Sequence, residues 1–308
     1  MRIASIGGVI CCGNISFDMP VWPVDRLAWG TTYWVEALQQ NIGGNGGNTA
    51  TTLAVLGTPV RLYGKVGRDS QGDTVLQMLV EAGVDTVAVG RTDLPTNATV
   101  CVVHPNGDRL LLTRPGSSSA VAPEMLEFDD GPPFTHFHLA NLYSLPIMRT
   151  KAPEALGRAR RAGLTTSLDT GWDALGRWVV DLAPCLPHVD LLFVNESEAK
   201  NLTGHDNPDD IVRELRAGGA TDVVVKLGGL GCIAYTDDQR FAVPAFSVNV
   251  IDTTGAGDAF GAGFLAALHR GMSFADAARF ANAVGALSVE RLGTVQGVRS
   301  FEETQRWI

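Results

Sequence analysis

Short apolar runs alternate along the chain with stretches whose apolar positions recur every three or four residues. Arg2–Cys12 reads as a strand. Asn48–Leu56 has helical spacing and stops at Gly57, Val60–Tyr63 is strand-like, and Gly72–Ala82 is a helix ending at Gly83. The same rhythm continues: strand at His136–Leu139, helix at Pro153–Ala162, strands at Thr165–Leu168 and Asp190–Val194, helix at Pro208–Ala217, strand at Asp222–Lys226. Gly257–Leu268 and Phe274–Val289 read as long helices rich in Ala and Gly, suited to tight packing. Repeated strand–helix alternation predicts a mostly parallel sheet covered on both faces, an α/β fold of three layers.

Two segments interrupt the rhythm. Residues 16–39 hold Trp22, Trp29, Tyr33 and Trp34 without a helical or strand period. Residues 96–113 alternate around Pro105-Asn106-Gly107, a hairpin signal. Together they predict a small β-rich lid inserted into one domain spanning 1–308.

Composition narrows the class. At 308 residues the chain can bury a large core without a staple. Its net charge of −9 and lack of a basic run argue against a nucleic-acid partner. The five cysteines are odd in number and none has zinc-finger spacing, so they read as reduced thiols of a cytoplasmic protein. The apolar start is too short to span a membrane and lacks the basic region of a signal peptide.

The chemistry gathers at Asp252-Thr253-Thr254-Gly255-Ala256-Gly257-Asp258, where an apolar stretch runs into a small-residue turn and then a helix. Uncovered backbone N–H groups at a helix N-terminus bind phosphate through those donors and the helix dipole. A carboxylate beside such an anion would repel it, unless it takes the proton of an attacking hydroxyl. Neither a Walker A string nor a complete G-x-G-x-x-G occurs.

This segment resembles the D-T-x-G-A-G-D signature of PfkB, or ribokinase-like, kinases. Gly43-Gly44-Asn45-Gly46-Gly47-Asn48-Thr49-Ala50 is similar to the family's G-G-x-x-x-N-x-A. The stretch Gly64-Lys65-Val66-Gly67-Arg68-Asp69-Ser70-Gln71-Gly72 is similar to G-x-V-G-x-D-x-x-G. Asn195-Glu196-Ser197-Glu198 resembles N-x-x-E, and Lys226-Leu227-Gly228-Gly229-Leu230-Gly231 resembles K-x-G-x-x-G. The motifs fall in family order over nearly the whole chain.

The resemblance implies an ATP- and Mg²⁺-dependent kinase acting on a hydroxyl of a sugar-like molecule. Asp258 would be the base and Gly255, Ala256 and Gly257 the anion hole. Asn195 and Glu198 would organise Mg²⁺ through water, the same two residues also forming a capping-box pattern. Lys226, Gly228, Gly231, Gly257 and Asn282 would line the nucleotide together with Asn195. Ser16, Asp18, Gly43, Gly44, Asn45, Gly46, Asn48 and Arg114 would face the acceptor, a carboxylate such as Asp18 suiting a diol. Asp252, Thr254, Ser288, Arg291 and Gly293 align with the family's K⁺ ligands, but Gly297 stands where a Ser side chain is often the last of them. His136 and His138 share a strand face without a partner carboxylate, and are read as packing residues rather than a metal pair. Within the family a nucleoside kinase is the alternative, with Trp22, Tyr33 or Trp34 stacking on a base. A catalytically inactive metabolite binder is the other. Lids of this family often pair into dimers, so a homodimer through the lid is expected.

Overall fold

The computed structural model describes residues 7–128, 134–236 and 239–308. The Arg2–Ile6 part of the first expected strand lies outside them. In chain order the strands are β1 (Gly8–Cys12), β2 (Ser16–Trp22), β3 (Ala37–Leu38), β4 (Asn41–Gly43), β5 (Val60–Gly67), β6 (Val89–Thr92), β7 (Asn97–Val103), β8 (Arg109–Arg114), β9 (Phe134–Leu139), β10 (Thr165–Asp169), β11 (Leu191–Asn195), β12 (Asp222–Lys226), β13 (Cys232–Thr236) and β14 (Gln239–Val243). The helices are α1 (Asn45–Val55), α2 (Ser70–Glu81), α3 (Pro146–Arg161), α4 (Val179–Leu182), α5 (Glu196–Thr203), α6 (Pro208–Ala217), α7 (Ala256–His269), α8 (Phe274–Ser288) and α9 (Phe301–Trp307).

Nine strands form the main sheet in the order β14-β13-β12-β11-β10-β9-β1-β5-β6. From β6 to β12 every neighbouring pair is parallel, while β12, β13 and β14 pair antiparallel. Alternation along the strands builds two cores. Val9, Cys11, Leu191, Phe193 and Val224 face one way, against α1, α7 and α8. Ile10, Cys12, Leu192, Val194, Val223 and Val225 face the other, against α3, α5 and α6. This is the expected three-layer arrangement, and continuous apolar strands are what two buried faces require.

Strand order reverses between β1 and β9, since the chain passes from β1 to β5 on one side and to β9 on the other. Ligands of open α/β sheets bind outside the carboxyl ends of the strands at such a reversal. Asn14, Asn141, Asp169, Asn195 and Lys226 lie at or just beyond those ends.

Segments 16–39 and 96–113 fall in a second, five-stranded sheet of order β3-β2-β7-β8, with β4 also pairing β2. The hairpin between β7 and β8 is closed by Gly107 N donating to the His104 carbonyl at 2.8 Å and His104 N donating to the Asp108 carbonyl at 2.8 Å. Trp22 and Tyr33 are half-buried there. Trp29 and Trp34 are fully open to solvent because residues 23–36 form no strand or helix that could fold back over them.

Other boundaries differ from the sequence reading. Helix α3 begins at Pro146 and carries Pro153 inside it. Pro146 takes the first-turn position whose N–H needs no partner, so Pro153 does not mark the start. The antiparallel strands β13 and β14 and the last helix α9 had not been expected.

Candidate active site

Helix α7 starts at Gly255, whose φ of 77° is the left-handed conformation that glycine adopts without strain. A side chain there would also meet Thr294, the Cβ position being 2.8 Å from the Thr294 Cβ. No side chain caps this end; Ala256 N makes only a long bond, 3.4 Å, to the Thr253 carbonyl, so the helix dipole there is not met by a side chain.

Asp258, in the first turn, points back into the molecule. Its Oδ1 accepts from Asn45 Nδ2 at 2.8 Å and its Oδ2 from Asn48 Nδ2 at 2.8 Å. Asn45 and Asn48 are three residues apart on α1, and so lie on one face of that helix. Helices α1 and α7 pack together, which brings the glycine-rich turn of residues 43–48 against the anion-hole turn. Burial pushes the Asp258 carboxyl up to about 7. The Asn48 amide opposes that shift, the negative Asp169 adds to it, and Asn45 and Lys226 oppose it.

On one side of Asp258 lies a cavity of about 390 Å³. Lys226, Gly228, Gly231, Gly257 and Asn282, all expected at the nucleotide, line it, along with apolar Phe246, Val248, Val250 and Val289. Asn282 Nδ2 donates to the carbonyls of Val243 at 3.0 Å and Pro244 at 3.2 Å, holding the segment after β14 as a wall of this cavity. Lys226 Nζ sits 2.5 Å from Asp169 Oδ2, with both side chains about nine-tenths buried. Burial alone would lower the Lys226 ammonium, but Asp169 and Glu198 outweigh it and raise its pKa.

Asn195 and Glu198 form a complete capping box at the start of α5. Asn195 Oδ1 accepts from Glu198 N at 2.9 Å, and Glu198 Oε2 accepts from Asn195 N at 3.0 Å and Thr170 Oγ1 at 3.0 Å. Among the described residues Glu198 Oε1 receives no hydrogen bond. Burial raises the Glu198 carboxyl, with Lys226 opposing.

Asp18, which does not line that cavity, lies 6 % exposed on β2, opposite Asn41 of β4 in the strand register. Its carboxylate packs on Gly43, whose missing Cβ would sit 2.0 Å from it. Asp18 Oδ1 has no hydrogen-bond partner. Burial lifts this carboxyl to about 6, the nearby hydroxyls of Ser16 and Thr99 pulling the other way. Ser16 Oγ itself lies 3.4 Å from Thr99 Oγ1. Gly44 and Gly46 keep α1 close to β1 and the loop after it. A Cβ at Gly44 would fall 2.5 Å from the Asn14 carbonyl, and one at Gly46 2.7 Å from Gly13 Cα.

Arg114 lies at the joint of the two sheets. Its Nη2 donates to Gln71 Oε1 at 2.7 Å and to the Thr96 carbonyl at 2.8 Å. Asp69, from the G-x-V-G-x-D-x-x-G stretch, takes Thr96 N at 2.8 Å and Thr96 Oγ1 at 2.6 Å while capping α2. Asp252 accepts from Thr254 N at 2.9 Å and Gly293 N at 3.0 Å, so those three residues meet. Ser288 is buried, with its hydroxyl donating to the Gly285 carbonyl at 2.8 Å, and the Arg291 residue is exposed.

His136 and His138 both bond Ser167 Oγ, at 2.7 Å each, and burial lowers each imidazole to about 3. They are neutral packing residues of the sheet. No cluster of three or more His, Cys, Asp or Glu suited to a metal occurs among the described residues. Among them no helix is long and apolar enough to cross a membrane. The sequence reading missed Asp169 and Asn141. Both stand at the carboxyl ends of strands, outside any motif, and that strand-end position was the signal available.

The chain is similar over nearly its whole length to known kinases. An ATP-dependent ribose-1-phosphate kinase of Halopiger xanaduensis is 32% identical over 296 residues, covering 92% of this chain and 93% of that protein. The structure of Arabidopsis thaliana ribokinase complexed with ribose and ATP superposes with a TM-score of 0.82 at 25% identity, covering 98% of both chains. Aminoimidazole riboside kinase of Salmonella enterica, complexed with aminoimidazole riboside and an ATP analogue, gives a TM-score of 0.80 at 26% identity over 97% of this chain and 99% of that one. The pfkB family carbohydrate kinase model matches residues 11–300, and the chain therefore belongs to the PfkB family of carbohydrate kinases.

Proposed function

We propose that the protein transfers the γ-phosphoryl group of ATP to a hydroxyl, of the hydroxymethyl kind, on a sugar or sugar-like molecule. One observation carries this reading: a buried carboxylate, Asp258, stands in the first turn of a helix whose start carries no side-chain cap and lines a cavity of nucleotide size. The acceptor hydroxyl gives its proton to Asp258 while the N–H groups at Gly255–Gly257 meet the charge on the transferred phosphoryl oxygens. Asp18 binds acceptor hydroxyls through the oxygen that lacks a protein partner. Lys226 supplies the fixed positive charge on the nucleotide side.

Magnesium, when bound with ATP, neutralises phosphate charge and keeps most of its waters. Glu198 Oε1 and Asn195 at the edge of β11 fit that role, because a hard cation held through water needs oxygen acceptors near the phosphates. A K⁺ ion beside the anion hole would rest on Asp252 and on carbonyls of Thr254, Ser288, Arg291 and Gly293. Gly297 adds no side-chain oxygen and leaves no room for one, since a Cβ there would lie 2.1 Å from the Leu287 carbonyl oxygen.

We take a sugar as the acceptor, with a nucleoside as the alternative, since the sequence signatures are those of carbohydrate kinases. The edge strand β8, with Leu110, Leu111 and Leu112 exposed, suits a second copy of this chain, which sedimentation of the purified protein tests. The test of the kinase reading is ADP release across ribose, ribose 1-phosphate, other sugars, sugar acids and nucleosides. Acceptor-dependent turnover that Asp258→Asn lowers by roughly 10² to 10⁴ is expected; acceptor-independent hydrolysis alone would overturn it.

A further inference from the structure

Asp258 is held by two carboxamides, and a carboxamide has two faces. Turned one way it offers N–H donors to a carboxylate; turned the other it offers a carbonyl oxygen, which repels one. What fixes the turn of Asn45 is visible one residue further out. Asn45 Oδ1 accepts from Asn141 Nδ2 at 2.6 Å, while Asn45 Nδ2 donates to Asp258 Oδ1 at 2.8 Å. Asn141 is itself fixed. Its Oδ1 accepts two backbone bonds, from Tyr143 N at 2.9 Å and Ser144 N at 3.0 Å, and its Nδ2 also donates to Ser144 Oγ at 2.9 Å. Rotating the Asn141 amide would set its NH₂ against two backbone donors, so its orientation follows from the network. Asn141 stands just beyond β9, is 3 % exposed, and packs against the backbone of Gly171, where a Cβ would come within 2.6 Å of its amide nitrogen.

We propose that Asn141 is a positioning residue for the phosphoryl transfer: it orients the Asn45 side chain so that Asn45 donates to Asp258. Direction thus passes from two backbone amides after β9, through two side-chain amides, to the carboxylate. Asn48, the other donor, has an Oδ1 without a partner, so its turn is set by Asp258 alone. Removing the outer amide leaves Asn45 free to present its carbonyl oxygen to the base. The charged or titratable groups facing Asp258 are Asp169 from β10, Lys226 from β12 and Cys11 from β1, and none of them is hydrogen-bonded to the Asn141 amide.

The inference rests on Asp258 being the base, and two measurements separate the ideas. In the full-length protein, Asn141→Leu and the nearly isosteric Asn141→Asp are compared with wild type for the pH profile of kcat/KM. The Asp258 carboxyl is followed directly by ¹³C NMR, with its resonance assigned through Asp258→Asn. Both Asn141 variants are expected to move the acid limb and the Asp258 titration upward together, by roughly one pH unit for the loss of one charge-assisted bond of about 1.5 kcal/mol. An added charge at 141 would raise Asp258 without any relay. The Asn45→Ala background distinguishes the two, since there Asn141→Leu is expected to have no further effect. An unshifted Asp258 titration in folded Asn141→Leu overturns the inference. So does an equal effect of Asn141→Leu with and without Asn45. If Asp258 titrates as expected but its protonation does not govern turnover, the relay stands and the kinase assignment of Asp258 fails.

Discussion

The Lys226 ammonium and the Asp169 carboxylate meet at 2.5 Å across the carboxyl ends of β12 and β10. β11 lies between those strands and carries Asn195 at the same edge. The pair therefore ties together the floor on which nucleotide phosphates would rest. It is buried enough that neither charge can be re-solvated cheaply, so removing one partner leaves the other exposed to the full desolvation cost. Asp169→Ala is expected to lower the unfolding free energy by about 3–5 kcal/mol. It should also raise KM for ATP, because Lys226 loses the contact that aims it. Urea titration and steady-state kinetics check both. Unchanged stability would mean that Lys226 finds Glu198 as a replacement partner.

Asp258→Asn should leave the fold intact and reduce kcat by roughly 10² to 10⁴, the range for loss of a general base. In the wild type, kcat/KM should fall as pH drops through about 7, the value to which burial lifts this carboxyl. Stability moves in the opposite sense. The folded state holds the Asp258 proton up to about 7, whereas the unfolded chain releases it near the ordinary aspartate value of 3.8. Ionisation is thus easier in the unfolded chain. The contribution of Asp258 to stability declines as pH rises from about 4 to about 7 and stays low above that. Thermal unfolding at pH 5 and pH 8 should show a smaller loss in Asp258→Asn than in wild type.

Asp18→Ala should raise KM for the acceptor by roughly ten- to a hundredfold, the loss of a charge-assisted hydrogen bond of about 1.5–3 kcal/mol. KM for ATP should hardly change, because Asp18 is not among the residues lining the cavity assigned to the nucleotide. A fall in ATP affinity without a change for the acceptor would place Asp18 in the wrong half of the site.

Gly297→Ser tests whether the missing oxygen of the candidate K⁺ site can be restored. A Cβ at 297 would stand 2.1 Å from the Leu287 carbonyl oxygen and 3.0 Å from that of Ser288. Backbone must shift for the substitution to fit, so the expected result is a lower Tm and no gain in K⁺ activation. An activated, fully stable Ser variant would show that the loop from 288 to 297 adapts.

Segments 16–39 and 96–113 are expected to close over the acceptor and exclude water, which otherwise takes the phosphoryl group. Amide hydrogen exchange in β2, β7 and β8 should slow when a productive acceptor binds, while β9 to β12 change little. Equal protection with and without acceptor would remove the lid assignment and leave the kinase assignment in place.

Much of this layout is legible in the chain because local rules and the global fold agree. Continuous apolar runs such as Leu191–Val194 can only be strands buried on both faces, and the turn at residues 255–257 can only open a helix. The gaps have physical causes. Cys232–Thr236 is an apolar run, but it follows Gly228-Gly229 and Gly231 so closely that the glycines hide an antiparallel return. The last helix was signalled by Ser300 and Glu303, which form a capping box in the structure. Asp169 and Asn141 escape notice because their roles arise only when parallel strands set their ends side by side. Residues 141, 169 and 258 are distant in sequence and share no motif.

The tip of the β7–β8 hairpin reaches the loop before α7. Thr253 Oγ1 donates to the Gly107 carbonyl at 3.1 Å, Arg109 Nη1 donates to Thr253 Oγ1 at 2.5 Å, and Thr253 and Val250 both line the nucleotide cavity. If the hairpin bounds the acceptor site as proposed, the two compartments share this wall. Any free energy by which an occupied cavity steadies that wall must reappear, equal in size, as tighter acceptor binding, and the acceptor must tighten the nucleotide by the same factor. Synergy of this kind needs no messenger between the sites: on that reading, a single threonine hydroxyl would make the two ligands each other's effectors.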